Sequence, residues 1–553
     1  MTIETLSPLL DVKGLSVSFA DKKVLDDVSF TLSRNEVLGI VGETGAGKSI
    51  LARALINLLP SGRRVAGGDV SVNGKSVFGL SSEASRQFRG GTVSLIGTNA
   101  KALLDPVQTV GSQVANVLQA HRSCSRKQAL AETAELFKQV GIVNPERRME
   151  AYPHELSGGM AQRIVIAMAL ITQPDIVVAD DATLGLDATI QVQVLDLFVK
   201  RVRDLGLGAV IITHDLGIVA HFCDRVAIMK EGRIVELKPV GQFLVKPDES
   251  YSTILLDAAK ARPAPMTQDE QSSSGETATP LLQVQNLFKY FPLSGGEVVR
   301  AIDDVSFSVS RNETLALVGE SGSGKTTVGQ CLVKLLKSDS GQIKFDDQDT
   351  VPMSEKEFRP LRRRIQMVFQ EPYVALNPRW TVSQLLAEPL GLEPGITKAA
   401  KIARVRELLG LVQLPTKLAD SYPHELTAGE QKRIGIARAL ATKPEFVVFD
   451  EPTTALDIRV RAQIIDLVRD LQREIGLSAL FITHDLNSVR SLAHYVAVMR
   501  LGKIVETGET EHIFANPQHE YTQKLLAAEL PIEQNETQRA RAEIHQLKVG
   551  AAR

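Results

Sequence analysis

The chain has 553 residues, 44% hydrophobic and 23% charged, the composition of a globular protein too long for a single core. A formal net charge of −2 and a pI near 6.6 give no general attraction to nucleic acid or anionic lipid. Three scattered cysteines, Cys124, Cys223 and Cys331, cannot assemble a zinc or iron–sulfur ligand set and read as reduced thiols of a cytoplasmic protein.

Met1–Leu10 has a glutamate and neither a basic start nor a long apolar stretch, so no signal peptide is expected. No window of about 18 uncharged apolar residues occurs, so no membrane span is expected. The first strong motif is Gly42-Glu43-Thr44-Gly45-Ala46-Gly47-Lys48-Ser49, followed by Ile50. It recurs 277 residues later as Gly319-Glu320-Ser321-Gly322-Ser323-Gly324-Lys325-Thr326, followed by Thr327 and preceded by the apolar run Thr314–Val318. Strand, glycine loop and helix in that order form a phosphate cradle. The glycines let backbone N–H groups converge on phosphate oxygens, and the helix start adds partial positive charge. Lys325 would reach the β- and γ-phosphates, and the Thr326 hydroxyl would ligate Mg²⁺.

Other segments repeat at a common shift of 270. Tyr152-Pro153-His154-Glu155-Leu156 returns at 422–426, Ile176–Asp180 at 446–450, and Thr213-His214-Asp215 at 483–485. A repeat of that length is a duplicated domain. Short apolar runs alternate with amphipathic stretches, which predicts an α/β fold with a mostly parallel sheet. Buried strands are predicted at Ile176–Ala179, Ala209–Ile212, Phe446–Phe449 and Ala479–Ile482. Helical periodicity over 100–166 and 371–436 predicts a separate helical subdomain in each copy. The expected domains are 1–260 and 281–530. A flexible linker at 261–280, poor in large apolar residues, would span about 25 Å, and a polar tail would follow at 531–553.

Asp450-Glu451 closes an apolar run. At a strand tip near the phosphate loop, Asp450 is placed to hold Mg²⁺ through water and Glu451 to polarise the attacking water. His484, just beyond another apolar strand, is a candidate γ-phosphate contact. Gln370, in Met367-Val368-Phe369-Gln370-Glu371-Pro372, could reach both metal and water.

These residues resemble an ABC ATPase, with Walker A, Q-loop, signature, Walker B, D-loop and H-loop in order and in duplicate over nearly the whole chain. The Tyr-Pro-His-Glu lead-in and Asn516-Pro517-Gln518-His519-Glu520-Tyr521-Thr522, weakly echoed at 246–251, are similar to ATP-binding subunits of oligopeptide, dipeptide, opine and nickel importers. The fused arrangement is similar to that of microcin C, peptide and glutathione importer ATPases. The resemblance implies two tandem P-loop NTPase domains using ATP and Mg²⁺, peripheral on the cytoplasmic face of a bacterial inner membrane. It also implies two integral membrane permease subunits as partners and, indirectly, a solute-binding protein. The family's C-terminal cysteine cluster is missing, so no iron–sulfur cluster is expected, and no nucleic-acid partner. A ribosome- or DNA-acting tandem ATPase would carry a long charged helical linker or zinc-binding cysteines. An exporter motor would share the ATPase chemistry, but the importer-type stretches argue against it.

The family pairs its domains head to tail, each ATP lying between one Walker set and the other signature. A signature loop starting a helix offers N–H groups and a hydroxyl to the γ-phosphate. The copies differ in ways that sort by that pairing. Thr98 stands where Gln370 stands in the second copy, and Asp181 and Ala182 stand for Glu451 and Pro452. The Asp181 carboxylate is one methylene, about 1.5 Å, shorter, and misplacement of about 1 Å can cost about a hundredfold in rate. Conversely, the first copy keeps Leu156-Ser157-Gly158-Gly159-Met160, whereas the second has Leu426-Thr427-Ala428-Gly429-Glu430, with a Cβ where backbone should approach phosphate. The expectation is one competent site, using 319–326, Gln370, Asp450, Glu451 and His484 with signature 156–160. The other, degenerate site would use Lys48, Ser49, Asp180, Asp181 and His214 with Thr427 and Gly429, and mainly hold ATP. Phe19 and Phe291 sit where the family places an adenine-stacking aromatic, although Tyr290 could serve instead of Phe291.

Overall fold

The computed structural model describes residues 7–20, 22–260, 280–292, 298–371, 375–393, 395–454, 456–528, 530 and 532. The predicted linker lies outside them apart from Pro280, as does the predicted tail apart from Ile532. The chain divides into two compact units whose main sequence boundary falls after Ala261. Among the described residues no helix is long and apolar enough to cross a membrane.

Each unit carries a six-stranded, mostly parallel sheet. In the first the order is Arg233–Pro239, Arg225–Lys230, Val37–Gly42, Gly208–Thr213, Ile176–Asp180 and Val93–Ile96. In the second it is Lys503–Glu509, Tyr495–Arg500, Thr314–Val318, Ser478–Thr483, Phe446–Asp450 and Ile365–Val368. Only the edge strands Arg233–Pro239 and Lys503–Glu509 run antiparallel to their neighbours. Helices and loops cover both faces of a parallel sheet, so its strands read as unbroken apolar runs. Every residue of Ile176–Asp180, Gly208–Thr213, Thr314–Val318, Phe446–Asp450 and Ser478–Thr483 is buried, as those runs predict, and so is every residue of Val37–Gly42.

Register sets up the site. Val318 pairs with Thr483 and Asp450 with Ile482, so the phosphate loop, Glu451 and His484 leave the sheet at one carboxyl edge. The first unit repeats this, with Val41 opposite Thr213 and Asp180 opposite Ile212.

A second, four-stranded antiparallel sheet in each unit has no counterpart in the sequence reading. Its order is Lys22–Leu32, Leu10–Phe19, Arg63–Val72, Lys75–Ser76, repeated as Val298–Val309, Leu282–Pro292, Ser340–Phe345, Gln348–Asp349. Register shifts interrupt Leu10–Phe19 and Leu282–Pro292, breaking the two-residue alternation that would have announced them.

The helical regions are present as Ala100–Leu103, Val110–His121, Arg126–Gln139, Pro145–Met149 and Gly158–Leu170, and as Val382–Ala387, Lys398–Leu411 and Ala428–Ala439. In the second unit Leu385, Leu408 and Ile434 share one apolar cluster with Val447, Phe449 and Phe481 of the sheet. The helices and the sheet therefore have a common core there.

Candidate functional site

The phosphate loops are nearly superimposable in their local chemistry. Gly47 and Gly324 cap the following helices Lys48–Leu55 and Lys325–Leu332 with φ of 101° and 107°, a left-handed conformation that glycine adopts without penalty. A Cβ on Gly42 or Gly319 would lie 2.1 Å from the Met229 or Met499 carbonyl oxygen, so only glycine allows the loop to rest on its neighbouring strand. Lys48 Nζ donates to the Gly42 and Glu43 carbonyls at 2.6 and 2.9 Å. Lys325 Nζ donates to those of Gly319 and Glu320 at 2.7 and 2.8 Å, and lies 3.4 Å from Ser323 Oγ. Both ammonium groups are buried and folded onto their own loops, and burial lowers the Lys325 pKa. Ser321, Gly322, Thr44 and Gly45 form the exposed crests, while Ser323 and Ala46 are buried. Thr327 and Ile50, both half-buried, lie in the first turns of the helices.

Each loop reaches the neighbouring acid strand through its hydroxyl. Ser49 Oγ donates to Asp180 Oδ1 at 3.2 Å, and Thr326 Oγ1 donates to Asp450 Oδ1 at 3.0 Å. Burial raises the pKa of both carboxyls, that of Asp450 to about 6.

The following acid is where the units part. Glu451 and Asp181 both hold left-handed backbone, with φ of 45° and 44°, and both donate their N–H to the adjacent strand at 2.9 Å, to Ile482 O and Ile212 O. His484 Nδ1 lies 3.4 Å from Glu451 Oε1, and His214 Nδ1 lies 3.1 Å from Asp181 Oδ1. The shorter side chain of Asp181 thus still meets its histidine. What it lacks is the rest of the shell. Glu451 Oε2 accepts Gln370 Nε2 at 2.8 Å and Thr454 Oγ1 at 3.0 Å. Burial pushes the Glu451 carboxyl up, but the His484 contact, Lys325 and the Thr454 hydroxyl outweigh it, and the net pKa is lowered. Thr98, in the Gln370 position, is exposed, and Leu184 stands where Thr454 does.

Thr454 was not singled out from sequence, nor was Lys432. The buried Lys432 ammonium donates to the Gln370 carbonyl and lies 3.4 Å from that of Glu451, bracketing the backbones that carry both side chains. Burial brings its pKa down to about 8. Its repeat partner is Gln162, equally buried, whose amide nitrogen has no hydrogen-bond partner among the described residues. The Lys432/Gln162 difference at the common shift of 270 was the available signal.

The signatures start helices as expected. Ser157 caps Gly158–Leu170, its Oγ accepting the Met160 N–H at 3.3 Å. Thr427 caps Ala428–Ala439 in the same way, but Glu430 closes a capping box. Its Oε2 accepts both the Thr427 N–H and the Thr427 hydroxyl at 2.8 Å. A carboxylate therefore occupies the positive end of this helix, where the first unit has uncharged Met160. Gly159 and Gly429 are each required by their own fold, since a Cβ would come within 2.6 Å of Ile190 and 2.7 Å of Val460.

Phe19 and Phe291 end strands and are 49% and 37% exposed, with Arg63 and Lys289 over their rings at 5.2 and 5.4 Å. Tyr290 is committed elsewhere, its hydroxyl donating to Asp303 Oδ1 at 2.6 Å.

Comparison with known proteins identifies the family. The ABC transporter family model matches residues 25–184 and 302–454, and the model for the oligopeptide/dipeptide transporter C-terminal region matches 505–551. The peptidoglycan transport ATP-binding protein YejF of Agrobacterium fabrum is 41% identical, covering 96% of this chain and 98% of that protein. The glutathione import ATP-binding protein GsiA of Escherichia coli K12 is 40% identical, covering 96% and 91%. A solved dimeric ATP-binding cassette in a post-hydrolysis state with ADP and phosphate is 28% identical, covering 41% of this chain and 98% of that one, with a TM-score of 0.39. The chain belongs to the ABC transporter family of ATP-hydrolysing proteins and carries two ATP-binding cassettes in tandem.

Proposed function

We propose that the chain is the motor subunit of an importer for peptides or similar small solutes, with one competent and one degenerate composite ATP site. It would sit at the cytoplasmic face of a bacterial inner membrane and drive two integral membrane permease subunits, to which a solute-binding protein delivers cargo. The names of the two relatives and the match of 505–551 to a peptide-transporter region support the importer reading. The transported solute would be chosen by the partner chains.

The observation that carries the asymmetry is the shell around Glu451. A carboxylate fixed by Gln370, Thr454 and His484 is held for one task, orienting and polarising a water against the γ-phosphate. Asp181 keeps only the histidine among these partners. In the head-to-tail pairing of the family, the Glu451 shell would work with the Ser157 signature, whose hydroxyl and helix start are free of internal charge. The Asp181 side would meet Thr427, where Glu430 presents a carboxylate and Ala428 a methyl to incoming phosphate. That second site would bind ATP through Lys48, Ser49 and Asp180 and hold the domains together.

The donors fit Mg²⁺. The Thr326 hydroxyl, Asp450 carboxylate and Gln370 amide oxygen are hard ligands, and a cation would reverse the raised pKa of the buried Asp450. Mg²⁺ bound there would neutralise phosphate charge.

The test is ATPase activity of the assembled transporter. Glu451→Gln is expected to lower turnover by about 10²–10⁴, and Asp181→Asn by less than about threefold. Abolition by Asp181→Asn with Glu451→Gln spared would reverse the assignment.

A further inference from the structure

The Asn516–Thr522 stretch takes no part in the chemistry described so far, yet it reaches the phosphate loop. It leads into helix Glu520–Ala527, whose cap His519 accepts the Tyr521 N–H on Nδ1 at 3.0 Å. Glu506, on strand Lys503–Glu509, accepts the N–H groups of Gln518 and His519 at 2.7 and 3.1 Å and pins the turn to the sheet. Tyr521 is 4% exposed, with the Arg500 guanidinium 4.9 Å from its ring centroid. Its hydroxyl oxygen accepts the Glu320 N–H at 2.9 Å.

That N–H belongs to the Gly319–Glu320 peptide group, whose carbonyl accepts Lys325 Nζ at 2.7 Å. One peptide group is therefore held from both sides, by the phosphate-binding ammonium and by the C-terminal motif. Bonds at opposite ends of a peptide group polarise one another, and a buried N–H left without an acceptor is costly. Burial pushes the Tyr521 hydroxyl up to about 12, so the phenol stays neutral at physiological pH.

We propose that Tyr521 is a positioning residue for the phosphate loop, its hydroxyl fixing the Gly319–Glu320 peptide and, through it, the resting place of Lys325. This rests on the reading of 319–326 as a nucleotide site. By linkage, nucleotide occupancy and the order of the C-terminal motif each bias the other.

The experiment uses the full chain carrying Lys48→Ala, so that a fluorescent ATP analogue reports the second loop. Tyr521→Phe keeps the ring over Arg500 and is expected to weaken analogue binding about three- to tenfold, with the nucleotide-free melting temperature lowered by no more than about 2–4 °C. Hydrogen exchange at the Glu320 amide should quicken while helix Glu520–Ala527 keeps its protection. Lys325→Ala serves as the reference. If it binds as tightly as its parent, the loop is not the nucleotide site and the underlying reading fails. If Lys325→Ala loses binding while Tyr521→Phe matches the parent, the positioning role is overturned. Weaker binding accompanied by a larger fall in melting temperature or by faster exchange throughout the helix also overturns it, since the tyrosine would then be supporting the fold at large.

Discussion

The acid turns after Ile176–Asp180 and after Phe446–Asp450 share strand register, backbone conformation and histidine partner, but not the remaining donors. Glu451 collects an amide and a hydroxyl that Asp181 lacks, because Gln370 and Thr454 are replaced by Thr98 and Leu184. Lys432 adds a cation beneath the turn where the other half has Gln162. The comparison teaches that two cassettes can share the contacts of the phosphate loop and differ in the partners of the acid that follows the strand, since these come from separate strands and loops.

Transplanting first-half residues into the second half is the most direct way to break this contrast. Gln370→Thr removes the 2.8 Å contact to Glu451 and is expected to lower kcat by about ten- to a hundredfold with little change in KM for ATP. Steady-state ATPase kinetics of the transporter would show it. An unchanged kcat would mean that the Gln370–Glu451 contact has no part in turnover. A smaller effect is expected from Lys432→Gln, which substitutes the residue of the other half and removes the charge bracketing the two backbones. The expected fall in kcat is about three- to tenfold, with KM preserved. If KM moved instead, Lys432 would be acting on nucleotide binding.

The smallest effect concerns stability. Glu445, just before the Phe446–Asp450 strand, is held by Arg364 and Arg311, and its pKa is lowered from 4.5 to about 2. A depressed folded-state value contributes stability that is present above the unfolded value and lost as pH falls from about 4.5 through about 2. Its first-half counterpart, Asp175, has one arginine, Arg34. Thermal unfolding should therefore show Glu445→Gln flattening the acid-side loss of stability more than Asp175→Asn does. The Glu445 side chain is 35% exposed, so solvent screening keeps the effect modest. Equal responses from the two variants would remove this contrast between the halves.

The parts legible in the sequence were those whose chemistry is local. A phosphate loop needs glycines, a lysine and a hydroxyl in a row, and buried parallel strands advertise themselves as apolar runs, so both could be placed to within a residue or two. The contacts that escaped the sequence reading join distant segments. Lys432 meets the Gln370 carbonyl across 62 residues, and Tyr521 meets Glu320 across 201. Glu430 was in plain view: Thr427 and Glu430 have the spacing of a capping box, a local signal that went unread. The antiparallel sheets escaped because their bulges break the alternation that marks a half-buried strand.

The left-handed backbone shared by Asp181 and Glu451 narrows the evolutionary routes open to this turn. Aspartate, asparagine and glycine enter that conformation at little cost, whereas valine and isoleucine are strongly disfavoured there. A cassette relieved of hydrolysis therefore has few tolerated replacements for its glutamate, and aspartate is the nearest in charge and shape. The first half carries aspartate at this turn and keeps the strand bond and the histidine contact. Because the backbone at the two turns is the same, the acids of the two halves can be exchanged by side-chain substitution alone, without rebuilding the chain path.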